Sequence, residues 1–170
     1  MTPVTSALCT NLDTTHLKHV LDAIHYSQMI PDTPFKQFFA VQCLLEHIEP
    51  MAEGIAGDVA LVEWLSTTIR QELNFRRQHY RLQKPDLHSL RPQALLNLQC
   101  DFQQQNVELE AWSLLYFRYV RVDLALGWES MAALAGQTTR NLRRRQMHGL
   151  HRLLHCLIQQ ELRASIALPG

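Results

Sequence analysis

Residues 128–157 read WESMAALAGQTTRNLRRRQMHGLHRLLHCL. This stretch begins as a short amphipathic segment and breaks at Gly136. It restarts at Gln137-Thr138-Thr139 as a long basic helix with five arginines between Arg140 and Arg152. Two helices joined by a glycine turn are the sequence shape of a helix-turn-helix, whose second helix enters a nucleic-acid groove. That geometry needs a small residue where the helices cross and, four residues on, a residue that tolerates positive φ. Ala132 and Gly136 have this spacing, and Leu142, ten residues after Ala132, is placed to point back into the core.

At about 100° per residue, the core side of the second helix collects Thr139, Leu142, Gln146, Gly149, Leu150, Leu153 and Leu157. The opposite side collects Arg140, Arg143, Arg144, Met147 and His151. Outward positions in the first turns of a recognition helix meet bases and phosphates, and arginine suits both guanine edges and phosphates. Thr138 and Thr139 are expected to cap the helix and reach the DNA backbone, as hydroxyls and helix N-termini commonly do. The expected DNA-contacting set is therefore Thr138, Thr139, Arg140, Arg143, Arg144 and Met147. The expected motif core is Ala132, Gly136, Leu142, Leu150 and Leu153. Two positions depart from the pattern: Gln137 stands where an aliphatic side chain is usual, and Arg145 falls at the edge of the core side.

Residues 110–154, EAWSLLYFRYVRVDLALGWESMAALAGQTTRNLRRRQMHGLHRLL, resemble region 4 of bacterial sigma factors and related regulators, in which a helix of the type LLxLRYV precedes the motif. They are also similar to the C-terminal helical modules of bacterial STAND-class signalling ATPases and their stand-alone relatives. The features shared are Leu142-Arg143-Arg144 and then Gly149-Leu150-His151-Arg152-Leu153. The segment LKHVLDAIHYSQMIPDTPF, from Leu17, resembles the helical stretch upstream in such proteins. No Gly-x-x-x-x-Gly-Lys-[Ser/Thr] occurs, so no ATPase module is expected in this chain. The resemblance implies a regulatory DNA-binding module.

Outward from the motif, hydrophobic spacing predicts helices throughout. Asp13-Thr14-Thr15 can cap a helix from His16 to Met29, with Leu17, Val20, Leu21 and Ile24 on one stripe. Thr33 and Pro34 open a second, Phe35 to Ile48, dense enough in apolar residues to be the central core helix. Pro50 and the Gly54/Gly57 pair punctuate the chain before a third helix that opens at Asp58, runs past Leu73 and turns basic. Pro92 to Gln105 and Val107 to Leu126 follow, the latter carrying Trp112, Tyr116, Phe117 and Tyr119. No segment alternates with period two between hairpin turns, so no sheet is expected. The predicted fold is all-α, six to seven helices, with a C-terminal helix-turn-helix of sigma region 4 type and a helical N-terminal lobe. The polar run Gln103-Gln104-Gln105-Asn106 suggests a boundary between a lobe 1–105, for dimerisation or sensing, and a helix-turn-helix lobe 106–170.

The chain has 170 residues, one domain's worth, and its formal net charge of zero conceals segregation. Residues 1–69 hold two lysines against eight acids, and residues 70–100 six basic groups against two. Residues 101–137 hold two against five, and residues 138–170 six against one. The basic segments can present a polyanion-binding face. Within the first of them Arg76, Arg77 and Arg81, with Arg70, are possible phosphate contacts. The competing reading of the arginine face is a solvated surface, or one covered by the acidic N-terminal residues.

The four cysteines, Cys9, Cys43, Cys100 and Cys156, lie at least 34 positions apart, which suits reduced thiols in the cytoplasm. No apolar run is long enough for a membrane span and the N-terminus lacks a signal-peptide pattern. His148, His151 and His155 share a helix face beside Cys156, yet no second element supplies convergent ligands, so no metal site is expected. The aromatic residues around Trp112, and Trp64 and Trp128, read as core. No nucleophile elbow, HExxH, phosphate loop or CxxC is present, so neither an enzyme nor a cofactor is expected. The sequence thus points to a DNA-binding regulator of transcription, a homodimer on double-stranded DNA. The alternatives are a helix-turn-helix module that binds a protein partner and not DNA, or a sigma-like factor.

Overall fold

In a computed structural model, which describes residues 12–48 and 54–167, the chain is built from seven α-helices with no strand among the described residues. They are α1 (Thr14–His25), α2 (Phe39–Leu45), α3 (Ile55–His79), α4 (Arg91–Gln103), α5 (Val107–Leu115), α6 (Trp128–Ala135) and α7 (Thr139–Ala167). A 3-10 turn, Pro34–Gln37, precedes α2. A π turn, Tyr116–Val120, and a 3-10 turn, Val122–Leu124, follow α5. The all-α fold of six to seven helices expected from hydrophobic spacing is the fold observed. Cys9 and Pro50 lie outside the described residues.

Local chemistry sets the helix ends. Asp13 caps α1, its Oδ1 accepting from the backbone N–H groups of Thr15 and His16 at 2.9 Å each, which satisfies two of the donors a helix start leaves without partners. The single helix expected over Phe35–Ile48 is a 3-10 turn and a seven-residue helix, divided at Phe38, whose backbone is extended (φ −64, ψ 139). The division lets the N–H of Phe39 donate to the carboxylate of Glu161 at 2.9 Å. Phe35, Phe38 and Val41 are the buried apolar residues of this segment, so it is no central helix.

The chain forms two compact units. One takes the described residues up to Thr68 together with those from Arg152 onward, and the other takes Ile69–His151. The divisions fall within α3 and α7, so the units interleave in sequence and neither coincides with a lobe 1–105 or 106–170. The run Gln103–Asn106 is a turn inside the second unit. Gln105 adopts φ +52 and the Asn106 side chain accepts from Leu109 N–H at 2.9 Å to start α5. Its polar residues reverse the chain and cap a helix.

In the first unit, Leu17, Val20 and Leu21 of α1 are buried, as are Leu61, Trp64 and Leu65 of α3 and Leu153 and Leu157 of α7. The Phe38 and Trp64 rings lie 5.6 Å apart, within the range of favourable aromatic pairs. The indole N–H of Trp64 donates to Gln160 Oε1 at 2.9 Å, so the buried ring keeps its polar group satisfied.

The second unit buries Leu73, Leu98, Phe102, Leu109, Trp112, Phe117, Met131, Leu142 and Leu150. Helix α4 packs on both α5 and α6. Arg121 ties the loop after α3 to the end of the π turn. It donates to the Asp86 carbonyl at 3.1 Å and to the Ser89 hydroxyl and carbonyl at 2.8 and 2.9 Å, and it pairs with Asp123 at 2.9 Å. Among the described residues no helix is long and apolar enough to cross a membrane.

Candidate nucleic-acid interface

Helix α6 ends at Ala135 and Gly136 turns the chain in the left-handed region, φ +62 and ψ +33. A Cβ there would meet nothing within 4 Å, so backbone conformation rather than space selects glycine. The N–H of Gln137 donates to the Ala132 carbonyl at 3.0 Å, closing the helix end. Thr138 then caps α7: its hydroxyl accepts from Asn141 N–H at 3.2 Å and its carbonyl from Leu142 N–H at 3.1 Å. Gln137 is half-buried and its Oε1 accepts from the Asn141 amide at 3.3 Å, which gives this polar residue a use at a position where an apolar one was expected.

The inward side of α7 has the predicted phase. Ala132, Leu142, Leu150 and Leu153 are buried. Gln146 is buried too and hydrogen-bonds the Tyr119 hydroxyl. At Gly149 the helix passes so close to α5 that a Cβ would lie 3.0 Å from Leu115 Cγ and 3.2 Å from the Ala111 carbonyl oxygen. Arg145, the second departure, donates from Nε to Glu110 Oε2 at 2.6 Å, and Glu110 is itself buried. An ion pair occupies the place of an apolar contact.

The outward side carries Thr138, Arg140, Arg143, Arg144 and Met147, all exposed, with Thr139 half-buried. Thr139, the three arginines and Met147 line one shallow depression of about 480 Å³. Among the described residues no carboxylate forms an ion pair with Arg140, Arg143 or Arg144. The Arg143 guanidinium lies 5.7 Å from the centre of the Trp128 ring, and the buried Arg118 guanidinium lies 4.3 Å from the same ring. Trp128 is half-buried. Two guanidiniums approach this ring, where the sequence suggested plain core packing.

The second basic patch is not one surface. Arg77 is 1% exposed, with Nε and Nη2 on the two carboxylate oxygens of Asp101 at 2.8 and 2.6 Å. It is a buried partner, which corrects its reading as a phosphate contact. The helical period that carries α3 through Ile69 and Leu73 also turns Arg77 inward. Arg76 is half-buried and lies 3.5 Å from Glu72 and 3.8 Å from Glu108. Arg70 is half-buried. Arg81 is exposed, beyond the end of α3, at φ +55.

Burial raises the Asp101 carboxyl above its ordinary 3.8, against the pull of Arg77 and of the Ser113 hydroxyl, which donates to it at 2.6 Å. Neither Asp101 nor Glu110 was singled out by sequence reading, because their partners lie 24 and 35 residues away.

The histidines do not converge. His148 Nε2 lies 2.6 Å from Glu108, His151 Nδ1 lies 2.7 Å from the Met147 carbonyl, and His155 is exposed. Among the described residues no group of three His, Cys, Asp or Glu is placed to hold a metal ion. Trp112, Tyr116, Phe117 and Tyr119 are all buried, so they form core and not a stacking platform. No protein-family model, no curated protein and no solved structure matches this chain.

Proposed function

We propose that the chain binds double-stranded DNA, with α6 and α7 acting as a helix-turn-helix and α7 as the helix that enters the major groove. The observation that carries this reading is the arrangement at the start of α7. Arg140, Arg143 and Arg144 are exposed on one side, with no carboxylate partner among the described residues, and Leu142 is buried on the other. Recognition helices present their first turns in this way. The resemblance of residues 110–154 to sigma region 4 and to STAND-linked helical modules points in the same direction. On this reading Thr138 and Thr139 sit at the DNA backbone, Met147 lies against base edges, and the chain is a cytoplasmic regulator of bacterial transcription. It would act as a homodimer, since one motif seldom covers enough DNA for tight binding.

The test is fluorescence anisotropy of the full chain on a labelled mixed-sequence duplex between 50 and 200 mM salt, concentrations over which phosphate-driven binding weakens steeply. Three arginines on phosphates or in the groove predict a log–log slope of about −2 to −3. Binding without salt dependence, or none, would remove DNA as the ligand and leave the same surface to a protein partner.

A further inference from the structure

The three exposed arginines of α7 are not equivalent. Arg143 alone of the three lies within cation–π reach of an aromatic ring, 5.7 Å from the centre of Trp128, and that ring is in turn approached by the buried Arg118 guanidinium at 4.3 Å. Trp128 opens α6, Arg143 lies in the second turn of α7, and Arg118 lies in the π turn after α5. The helix pair and the element before it therefore meet at one indole.

This cation–π contact restrains the Arg143 guanidinium, and among the described residues no hydrogen bond, ion pair or ring contact does the same for the exposed Arg140 or Arg144. Restraint matters differently for the two things an arginine can do on DNA. A phosphate takes a charge from many directions, so a mobile side chain serves. Reading the O6 and N7 atoms of guanine needs both nitrogens of the fork in one plane at one place, and a side chain already held there loses less freedom on binding.

We infer that Arg143 is the guanine-reading side chain of this surface, that Trp128 is its positioning residue, and that Arg140 and Arg144 contact phosphates. This assignment rests on the DNA-binding reading above and divides its labour between specificity and affinity.

The experiment starts by selecting duplexes from a randomised pool with the wild-type chain. Each variant is then compared on the selected duplex and on poly(dI-dC), with its salt slope measured on both. Arg143→Lys keeps the charge and loses the fork, so the preference for one G·C pair should fall about tenfold or more while the slope stays. Trp128→Leu should lower the same preference without altering the slope, and Trp128→Phe, which keeps a ring face, should restore most of it. Arg140→Ala and Arg144→Ala should each reduce the slope by about one and leave the preference in place.

Arg143 is exposed, so its variant tests the assignment even if Trp128→Leu does not fold. An Arg143→Lys chain with undiminished preference overturns the assignment while the DNA reading stands. A preference that Trp128→Leu and Trp128→Phe reduce equally overturns the role of Trp128. A wild-type chain that binds neither duplex overturns the DNA reading and this assignment together.

Discussion

Arg77 of α3 holds Asp101 of α4 by two parallel hydrogen bonds, Nε to Oδ1 at 2.8 Å and Nη2 to Oδ2 at 2.6 Å, with both side chains out of water. Ser113 of α5 donates to the same carboxylate, so three helices of one unit share a single polar knot. Taking two charges out of water costs about as much as their attraction returns, but removing one partner strands the other. Arg77→Ala should therefore lower unfolding free energy by about 3–5 kcal/mol. Asp101→Ala should do the same. Arg77→Met combined with Asp101→Leu should regain much of that loss, because it leaves no buried charge. Urea midpoints of the three variants check this, and a double variant as weak as the singles would contradict it.

Two glycines of the same unit should respond to alanine for opposite reasons. At Gly136 the space is open but φ is +62, so Gly136→Ala should cost about 1–2 kcal/mol through backbone strain alone. At Gly149 the helix is regular and alanine would gain about 1 kcal/mol of helix propensity. There the added Cβ lies 3.2 Å from the Ala111 carbonyl oxygen, a backbone atom that cannot rotate away. Overpacking of about 1–3 kcal/mol should offset or exceed that gain and displace α7 from α5. Thermal unfolding of both variants tests the pair. A stabilised Gly149→Ala would show that the two helices separate more easily than this contact implies.

Asp123 gives the pH dependence a sign. The Arg121 hydrogen bond holds its carboxyl below the ordinary 3.8, with the charge attraction of Arg121 acting the same way. Folding thus favours the charged form. The stability it contributes is complete above pH 3.8 and is lost as pH falls through the lower folded value. Asp123→Asn should be less stable than wild type at pH 6 and should lose less on going to pH 3. Urea midpoints at the two pH values decide it; equal losses in both chains would place the acid sensitivity elsewhere.

Much of this architecture was legible because it is local. The Asp13 cap, the Gly136 turn and the inward and outward phases of α7 each depend on residues within a turn or two of one another, and each is where the spacing put it. What was not legible depends on distance along the chain. The extended backbone at Phe38 answers to Glu161, the charge of buried Arg77 is met by Asp101, and half-buried Trp128 meets two arginines that sequence spacing cannot bring to it. A run of basic residues on a helix says how much charge there is. Which of them face inward follows the helical period, as at Arg77, and the acid that another helix supplies is what compensates the charge buried there.

Arg145 shows how the same surface can be taken apart by role. It sits among the outward arginines in sequence, but its Nε donates to the buried Glu110 at 2.6 Å. Arg145→Leu leaves that carboxylate in the interior without its guanidinium, a loss of about 1–3 kcal/mol, towards the upper end because the group is charged. Glu110→Leu added to Arg145→Leu should recover most of it, since an apolar residue at the edge of the core side is what a helix-turn-helix ordinarily carries. The double variant keeps Arg140, Arg143 and Arg144 outward, so under the proposed DNA-binding function its affinity for the duplex and its salt slope should match wild type. Measured together, urea midpoint and anisotropy separate the two roles. A restored fold with a flattened slope would place Arg145 at the phosphates after all, and a double variant no more stable than Arg145→Leu would mean that Glu110 is not what holds it.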